Sequence, residues 1–171
     1  MDSFNYLGVI FQSNGKFKAA TSRLNDKAQK AAFKMYRMLW NSNECYSISL
    51  ASKLFDSLVK PIMLYGSEIW GGFSVNRVKA TMTNDELTSK LFNDNFTTEK
   101  LHIKFCKRVL GVHRKASNDA CRGELGRYPL MVDVCTNVLK FYQRLLCKKT
   151  NNSIIEAAFS YSMGSNSDPL V

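Results

Sequence analysis

The chain has 171 residues and a formal net charge of +10, from 24 lysines and arginines against 14 acidic residues. A chain of this size buries about 70% of its unfolded surface, enough for the core of one domain. The charge excess favours polyanions, nucleic acid first and an anionic membrane surface second, while the lack of an apolar run of about 18 residues argues against a membrane span. The N-terminus carries no charged-then-apolar leader pattern, so the expectation is a soluble intracellular protein. Cys45, Cys106, Cys121, Cys135 and Cys147 form an odd set without a C-x-x-C pair. They read as reduced thiols, mostly buried, and not as a disulfide framework or a zinc ribbon.

Taken in order, the first element is β. Tyr6 to Phe11 is rich in aromatic and β-branched residues and is followed by Asn14-Gly15, a pair suited to a tight hairpin turn. An isolated hairpin is marginal in water, so this strand reads as part of a larger sheet. Everything afterwards has helical period. In "TSRLNDKAQKAAFKMYRMLW" the apolar residues Leu24, Ala28, Ala31, Ala32, Met35, Met38 and Leu39 share one side of a helical wheel. Arg23, Lys27, Lys30, Lys34 and Arg37 recur at steps of four and three and form a cationic ridge. Fourteen residue steps at 1.5 Å each make the ridge roughly 21 Å long, enough to follow several phosphates of one strand. Charge stripes on helices are ordinarily solvated faces, but such faces mix both signs to gain i,i+4 pairs, and this one has a single sign. Phe33, Tyr36 and Trp40 make a separate aromatic edge.

The next helix contains "FDSLVKPIMLYGSEIWG", in which Leu50, Leu54, Phe55, Leu58, Val59, Ile62, Met63, Tyr65 and Ile69 predict a largely buried element. Pro61 removes a backbone donor and crowds the carbonyl of Ser57, predicting a kink or a break. Gly66 is expected to admit a neighbouring helix. Glu68, beside Trp70, reads as a buried polar anchor, with a general acid as the alternative. Residues 76–96 are polar and weakly periodic, a long connection or a short peripheral helix. A further helix opens at Thr97 or Thr98 with Glu99 in its first turn and stops at Gly111. Its inner face is Leu101, Phe105 and Val109, and Lys100, Lys104, Lys107 and Arg108 form a second basic strip. Ser117 or Asn118 caps a short helix that Gly126 ends, and Pro129 opens the last one. That helix is expected to bury Met131, Val134, Cys135, Val138, Tyr142, Leu145 and Leu146 and to place Arg144, Lys148 and Lys149 at its C-terminal end. Beyond Phe159 the composition is that of a disordered tail.

Chemical motifs are sparse. Two-metal nucleotidyl transfer needs convergent carboxylates, yet there is no Asp-Asp pair and the eight aspartates are scattered. His102, Cys106, His113 and Cys121 match no standard zinc spacing, and a Cys-His nucleophile pair lacks an orienting third group. No G-x-x-x-x-G-K-[ST] loop is present. No catalytic residue, cofactor or metal ligand is assigned.

Three blocks together carry a resemblance. "YLGVIF" with "NGKF" at 6–17, "LFDSLVKPIMLYGSEIWGG" at 54–72, and "KLHIKFCKRVLGV" with "ASNDACRGELGRYPL" at 100–130 resemble successive parts of LINE-type, non-LTR retrotransposon reverse transcriptases, over residues 4–145 in order. The matching parts are the end of the palm, the thumb and the helical region that follows. The catalytic aspartate pair of the palm is not among these residues, and the 76–96 connection is longer and more polar than the family pattern. The resemblance implies a mainly α fold, a helical thumb-like bundle with a short N-terminal strand or hairpin left from a palm sheet. It divides the chain into a palm-like strand and hairpin at 1–18, thumb-like helices at 19–75, a polar connection at 76–96, a C-terminal helical region at 97–159 and a tail at 160–171. It further implies template–primer binding to an RNA template or RNA–DNA hybrid through the two basic strips. The partners it implies are the polymerase's palm and fingers, with magnesium held in that palm, no membrane contact, and an intracellular location that includes the nucleus. One of the three aromatics, Phe33, Tyr36 or Trp40, is then available to stack on a base or sugar, core packing being the expected fate of the others. The isolated chain is expected to be inert as a polymerase. A stand-alone helical nucleic-acid-binding or protein-interaction module, and a retroelement relic without activity, stay open beside this reading.

Overall fold

β1 (Ser3–Tyr6) and β2 (Val9–Gln12) pair antiparallel, Tyr6 opposite Val9 and Ser3 opposite Gln12. The structure is a computed structural model and describes residues 3–41, 47–72, 83–91 and 96–147. The hairpin reverses at Leu7-Gly8, whose φ angles of 47° and 86° are the two successive positive values that a two-residue primed turn requires. The expected single strand from Tyr6 to Phe11 is therefore corrected, since that stretch straddles the turn. Asn14-Gly15 is a second turn that leads β2 into the first helix; the Gly15 N–H donates to the Gln12 carbonyl at 2.9 Å. Holding Leu7 left-handed costs about 1–2 kcal/mol. Two tertiary contacts offset this: the Tyr65 hydroxyl donates to the Leu7 carbonyl at 2.7 Å, and Val9 is buried against Gly66.

The remaining elements among the described residues are helices. α1 (Lys18–Asn41) buries Ala20, Leu24, Ala28, Ala32, Met35 and Leu39, but leaves Met38 exposed against expectation. α2 (Ile48–Leu54) is capped by Ser47, whose hydroxyl accepts from the Leu50 N–H. It runs into a π-helical turn, Phe55–Val59, and then α3 (Lys60–Met63). The Lys60 N–H reaches back five residues to the Phe55 carbonyl, and the wider turn lets the chain pass the Pro61 ring without a clash at Ser57. The predicted disturbance at Pro61 is thus a π turn followed by a break, with Gly66 at φ 65° before α4 (Ser67–Trp70). Phe55, Val59 and Met63 pack into one core cluster with Ala28, Ala32, Met35, Leu101 and Phe105.

The same π turn and break explain a second correction. Leu50, Leu58, Tyr65 and Ile69 are between 42% and 50% exposed, so this segment is buried on one face only. An extra residue in the turn and a reset at Gly66 rotate the later apolar positions out of line, while Leu50, ahead of the turn, lies one residue off the buried face marked by Ala51 and Phe55. Gly66 also admits the hairpin, not a helix: a Cβ there would stand 3.1 Å from Val9 Cγ2. The close helix approach falls at Gly71, where a Cβ would lie 2.6 Å from Val134 Cγ1.

α5 (Asn84–Leu91) opens with a capping box, Thr83 Oγ1 accepting from the Glu86 N–H while Glu86 accepts from the Thr83 N–H. This is the short helix allowed for in the 76–96 stretch; 76–82 and 92–95 lie outside the described residues. α6 (Thr97–Val109) and α7 (Asn118–Glu124) end at Gly111 and Gly126, with φ of 65° and 60°, and Ser117 caps α7. α8 (Leu130–Cys147) buries Val134 and Val138, while Tyr142, expected inside, is 40% exposed. The side chains of Trp40 and Leu146, and the calls on Lys148, Lys149 and the tail from 160, lie outside the described residues. The chain forms two compact units, Met1–Val138 and Leu139–Val171, and the second is described only over Leu139–Cys147.

A polar network sits within the first unit. Arg127 Nε donates to His102 Nε2 at 3.0 Å. Guanidinium only donates, so that ring nitrogen accepts and the neutral ring's proton is on Nδ1, which donates to Glu99 Oε1 at 3.0 Å. Glu99 also accepts from Arg122 Nη2 and from the Leu130 N–H, both at 2.8 Å. Burial alone would raise the Glu99 pKa, but the bonds from His102, Arg122 and Leu130 outweigh it and hold the pKa below its ordinary 4.5. Arg127 pairs with Asp56 on the π turn and lies over the stacked rings of Phe55 and Phe105.

Two predictions follow from these contacts. Gly71→Ala should destabilise by about 1–3 kcal/mol through overpacking, whereas Gly123→Ala, with nothing within 4 Å of its added Cβ, should stabilise by about 0.5–1 kcal/mol; urea midpoints measure both. Glu99→Gln should cost about 2–3 kcal/mol at pH 7 by removing the buried carboxylate from Arg122 and leaving it only the exposed Asp119 as counter-charge. A carboxyl whose folded pKa is depressed contributes stability above its unfolded pKa and loses it as pH falls through the folded value. The gap between wild type and Glu99→Gln should therefore narrow below about pH 4.5; denaturation curves at pH 7 and pH 3 with equal gaps would contradict this assignment.

Candidate nucleic-acid interface

α1 is turned by its buried stripe. With Leu24, Ala28, Ala32, Met35 and Leu39 facing inward, the 100° step of the helix carries Arg23, Lys27, Lys30, Lys34 and Arg37 to the far side, and all five are exposed. None of them makes a hydrogen bond or ion pair with another described residue. The four neighbouring pairs along the ridge repel one another by about 0.2–0.5 kcal/mol each, roughly 1–2 kcal/mol together. Folding gains nothing from that row, and a polyanion would relieve its repulsion. Asp26 stands at the ridge's edge, exposed, and likewise without a partner among the described residues.

The second strip is less uniform. Lys100 and Lys104 are exposed on α6, but Lys107 is half-buried and its ammonium donates to the Arg114 carbonyl at 2.8 Å, tying down the turn after the helix. The Arg108 guanidinium lies 4.3 Å from the centre of the Tyr36 ring, a cation–π contact. The structure thus brings Arg108 onto α1 about 100° around the helix from Arg37 and gives Lys107 a structural partner. Lys100 and Lys104 remain a separate exposed pair. Of the aromatic edge, Tyr36 is half-buried beneath Arg108, while Phe33 is 68% exposed.

Of the other sequence candidates, His102, Cys106 and Cys121 are core residues. Both ring nitrogens of His102 are engaged, and burial pushes the Cys106 thiol up to about 11 despite Arg127 and Arg122 nearby. That thiol is a core group and a poor nucleophile. His113 is exposed and accepts the Lys115 N–H, and Cys121 is buried in the main core cluster. Glu68 is half-buried and makes no hydrogen bond with a described residue; the buried polar contact beside it belongs to Trp70, whose indole N–H donates to the Tyr65 carbonyl at 2.9 Å. Among the described residues no group of three His, Cys, Asp or Glu side chains is placed to hold a metal ion. Asp56, Asp119 and Asp133 are each paired with a cation, Arg127, Arg122 and Lys60 respectively.

Sequence reasoning missed the partners of Glu99. Arg122 and Leu130 lie 23 and 31 positions away and read locally as a helix residue and a helix start, so no spacing signal links them to it. The signal that did exist was positional: an acid in the first turn of an amphipathic helix. Compared with protein-family models, with curated proteins and with solved structures, the chain gives no match.

Proposed function

We propose that this chain is the thumb end of a LINE-type reverse transcriptase and contributes template–primer binding through α1. The observation that carries the reading is the row Arg23, Lys27, Lys30, Lys34 and Arg37, exposed along one helix face and unpaired among the described residues. Its position directly after the hairpin is where the resemblance places a duplex-tracking helix, and the three blocks occur in family order. In this reading residues 1–18 are the palm-like end, 19–75 the thumb and 97–159 the helical region beyond it. Contacts from the ridge go to phosphates and sugars, which hold register and carry no sequence information. The magnesium of the family belongs to palm residues outside this set, and no catalytic step is assigned to the chain.

A stand-alone binding module is the second reading, and one observation favours it. The hairpin closes on itself and is anchored by Tyr65 and Gly66, so the apolar strand does not depend on a further sheet for its pairing.

Titration of binding against salt tests the ridge. With five phosphates neutralised, the log–log slope on duplex should be about −4.5, a loss of roughly 500-fold between 50 and 200 mM salt. Replacing Lys27, Lys30 and Lys34 by glutamate should abolish most of that dependence. A flat titration, or a triple variant that binds like wild type, removes the ridge as the binding surface.

A further inference from the structure

One exposed phenylalanine by itself needs no explanation. What distinguishes Phe33 is its surroundings. Gln29 precedes it by one turn, Asp26 by two, and Lys30 and Lys34 stand on its other side. These five residues line one shallow, open depression on the face of α1. The ring is 68% exposed, and neither the Gln29 amide nor the Asp26 carboxylate hydrogen-bonds to another described residue. The patch therefore presents an aromatic face, an amide that donates and accepts, a carboxylate that accepts, and two ammonium groups.

We propose that this patch of α1 is a stacking site for an unpaired nucleobase, with Phe33 as the platform. The inference rests on the ridge being a phosphate-tracking face, and it adds a preference that phosphates alone do not confer. An unpaired base offers a π face, free edge donors and acceptors, and a phosphate on either side, which is the complement of this patch. A base inside a duplex has both faces stacked and its pairing edge occupied, so it cannot engage Phe33 and Gln29 together. The ligand is a single-stranded segment, or an unpaired stretch beside a duplex. An acidic protein surface would satisfy the lysines but supplies no base face to stack on the Phe33 ring.

The experiment is fluorescence anisotropy of the full chain with a single-stranded oligonucleotide of about ten nucleotides, in RNA and DNA forms, and with a blunt duplex. Phe33→Ala should weaken single-strand binding by about 5- to 150-fold, leave the single-strand salt slope near −3.5, and change duplex binding little. Phe33→Trp should restore binding and Phe33→Leu should not, since leucine keeps apolar area without a π face. Because Phe33 is exposed, all three variants should show wild-type helix content by circular dichroism. Equal loss on single strand and duplex, no loss with alanine, or rescue by leucine would each overturn the stacking site, the last in favour of an apolar protein contact. A flat wild-type salt response overturns the ridge itself, whereas a steep response with an indifferent Phe33→Ala overturns this inference alone.

Discussion

The carboxylate of Glu99 is the point on which the arrangement of α6, α7 and α8 turns. It is buried in the first turn of α6, and its two oxygens accept from Arg122 on α7, from the first backbone N–H of α8 and from His102 on its own helix. A buried charge is expensive unless paired and hydrogen-bonded, so these partners have little freedom to move apart. The constraint then travels outward. His102, fixed as the Nδ1–H tautomer, accepts from Arg127, and Arg127 lies over Phe55 and Phe105 and reaches Asp56 on the π turn. Replacing such a network by apolar residues is often neutral for stability; what it supplies here is a defined placement of four segments around one polar centre.

That placement bears on the exposed surface. Phe55 and Phe105, stacked beneath Arg127, belong to the same cluster as Ala28, Ala32 and Met35 of α1. Small alanines let the neighbouring elements come close, and the rotation of α1 is set by what they meet. Once the inner face is fixed, the ridge has no alternative to solvent. Its self-repulsion of about 1–2 kcal/mol is comparable with burying a single large apolar side chain, at about 1.5–3 kcal/mol. The core therefore tolerates a feature that contributes nothing to folding.

Much of this was legible without coordinates. The mainly helical fold with an N-terminal hairpin, the caps at Ser117, Gly111 and Gly126, the disturbance at Pro61 and the exposure of the ridge all follow from periods of 3.6 and from residues with restricted backbone preferences. The errors occurred where two positions competed for one role. Asn14-Gly15 is the stronger hairpin signal by composition, yet Leu7-Gly8 makes the turn because Tyr65 and Gly66, far along the chain, stabilise it. Gly66 is the glycine expected to meet a helix, but a left-handed turn takes it and the close approach of α8 falls at Gly71. In the second basic strip, Lys107 is equivalent to Lys104 by spacing, yet its ammonium is engaged by the Arg114 carbonyl.

The sequence by itself determined the helices and which of their faces are apolar, cationic or aromatic, because these depend on neighbours within about one turn. It also determined that Arg23, Lys27, Lys30, Lys34 and Arg37 form a single row. Only the tertiary structure decided which aromatic of α1 is covered: Arg108 takes Tyr36 and leaves Phe33 open. It alone joined Glu99 to Leu130 across 31 positions and Asp56 to Arg127 across 71. The physical reason is range. Periodicity and capping are written within a few residues, whereas the partner of a buried charge is chosen by packing between segments that share no local pattern.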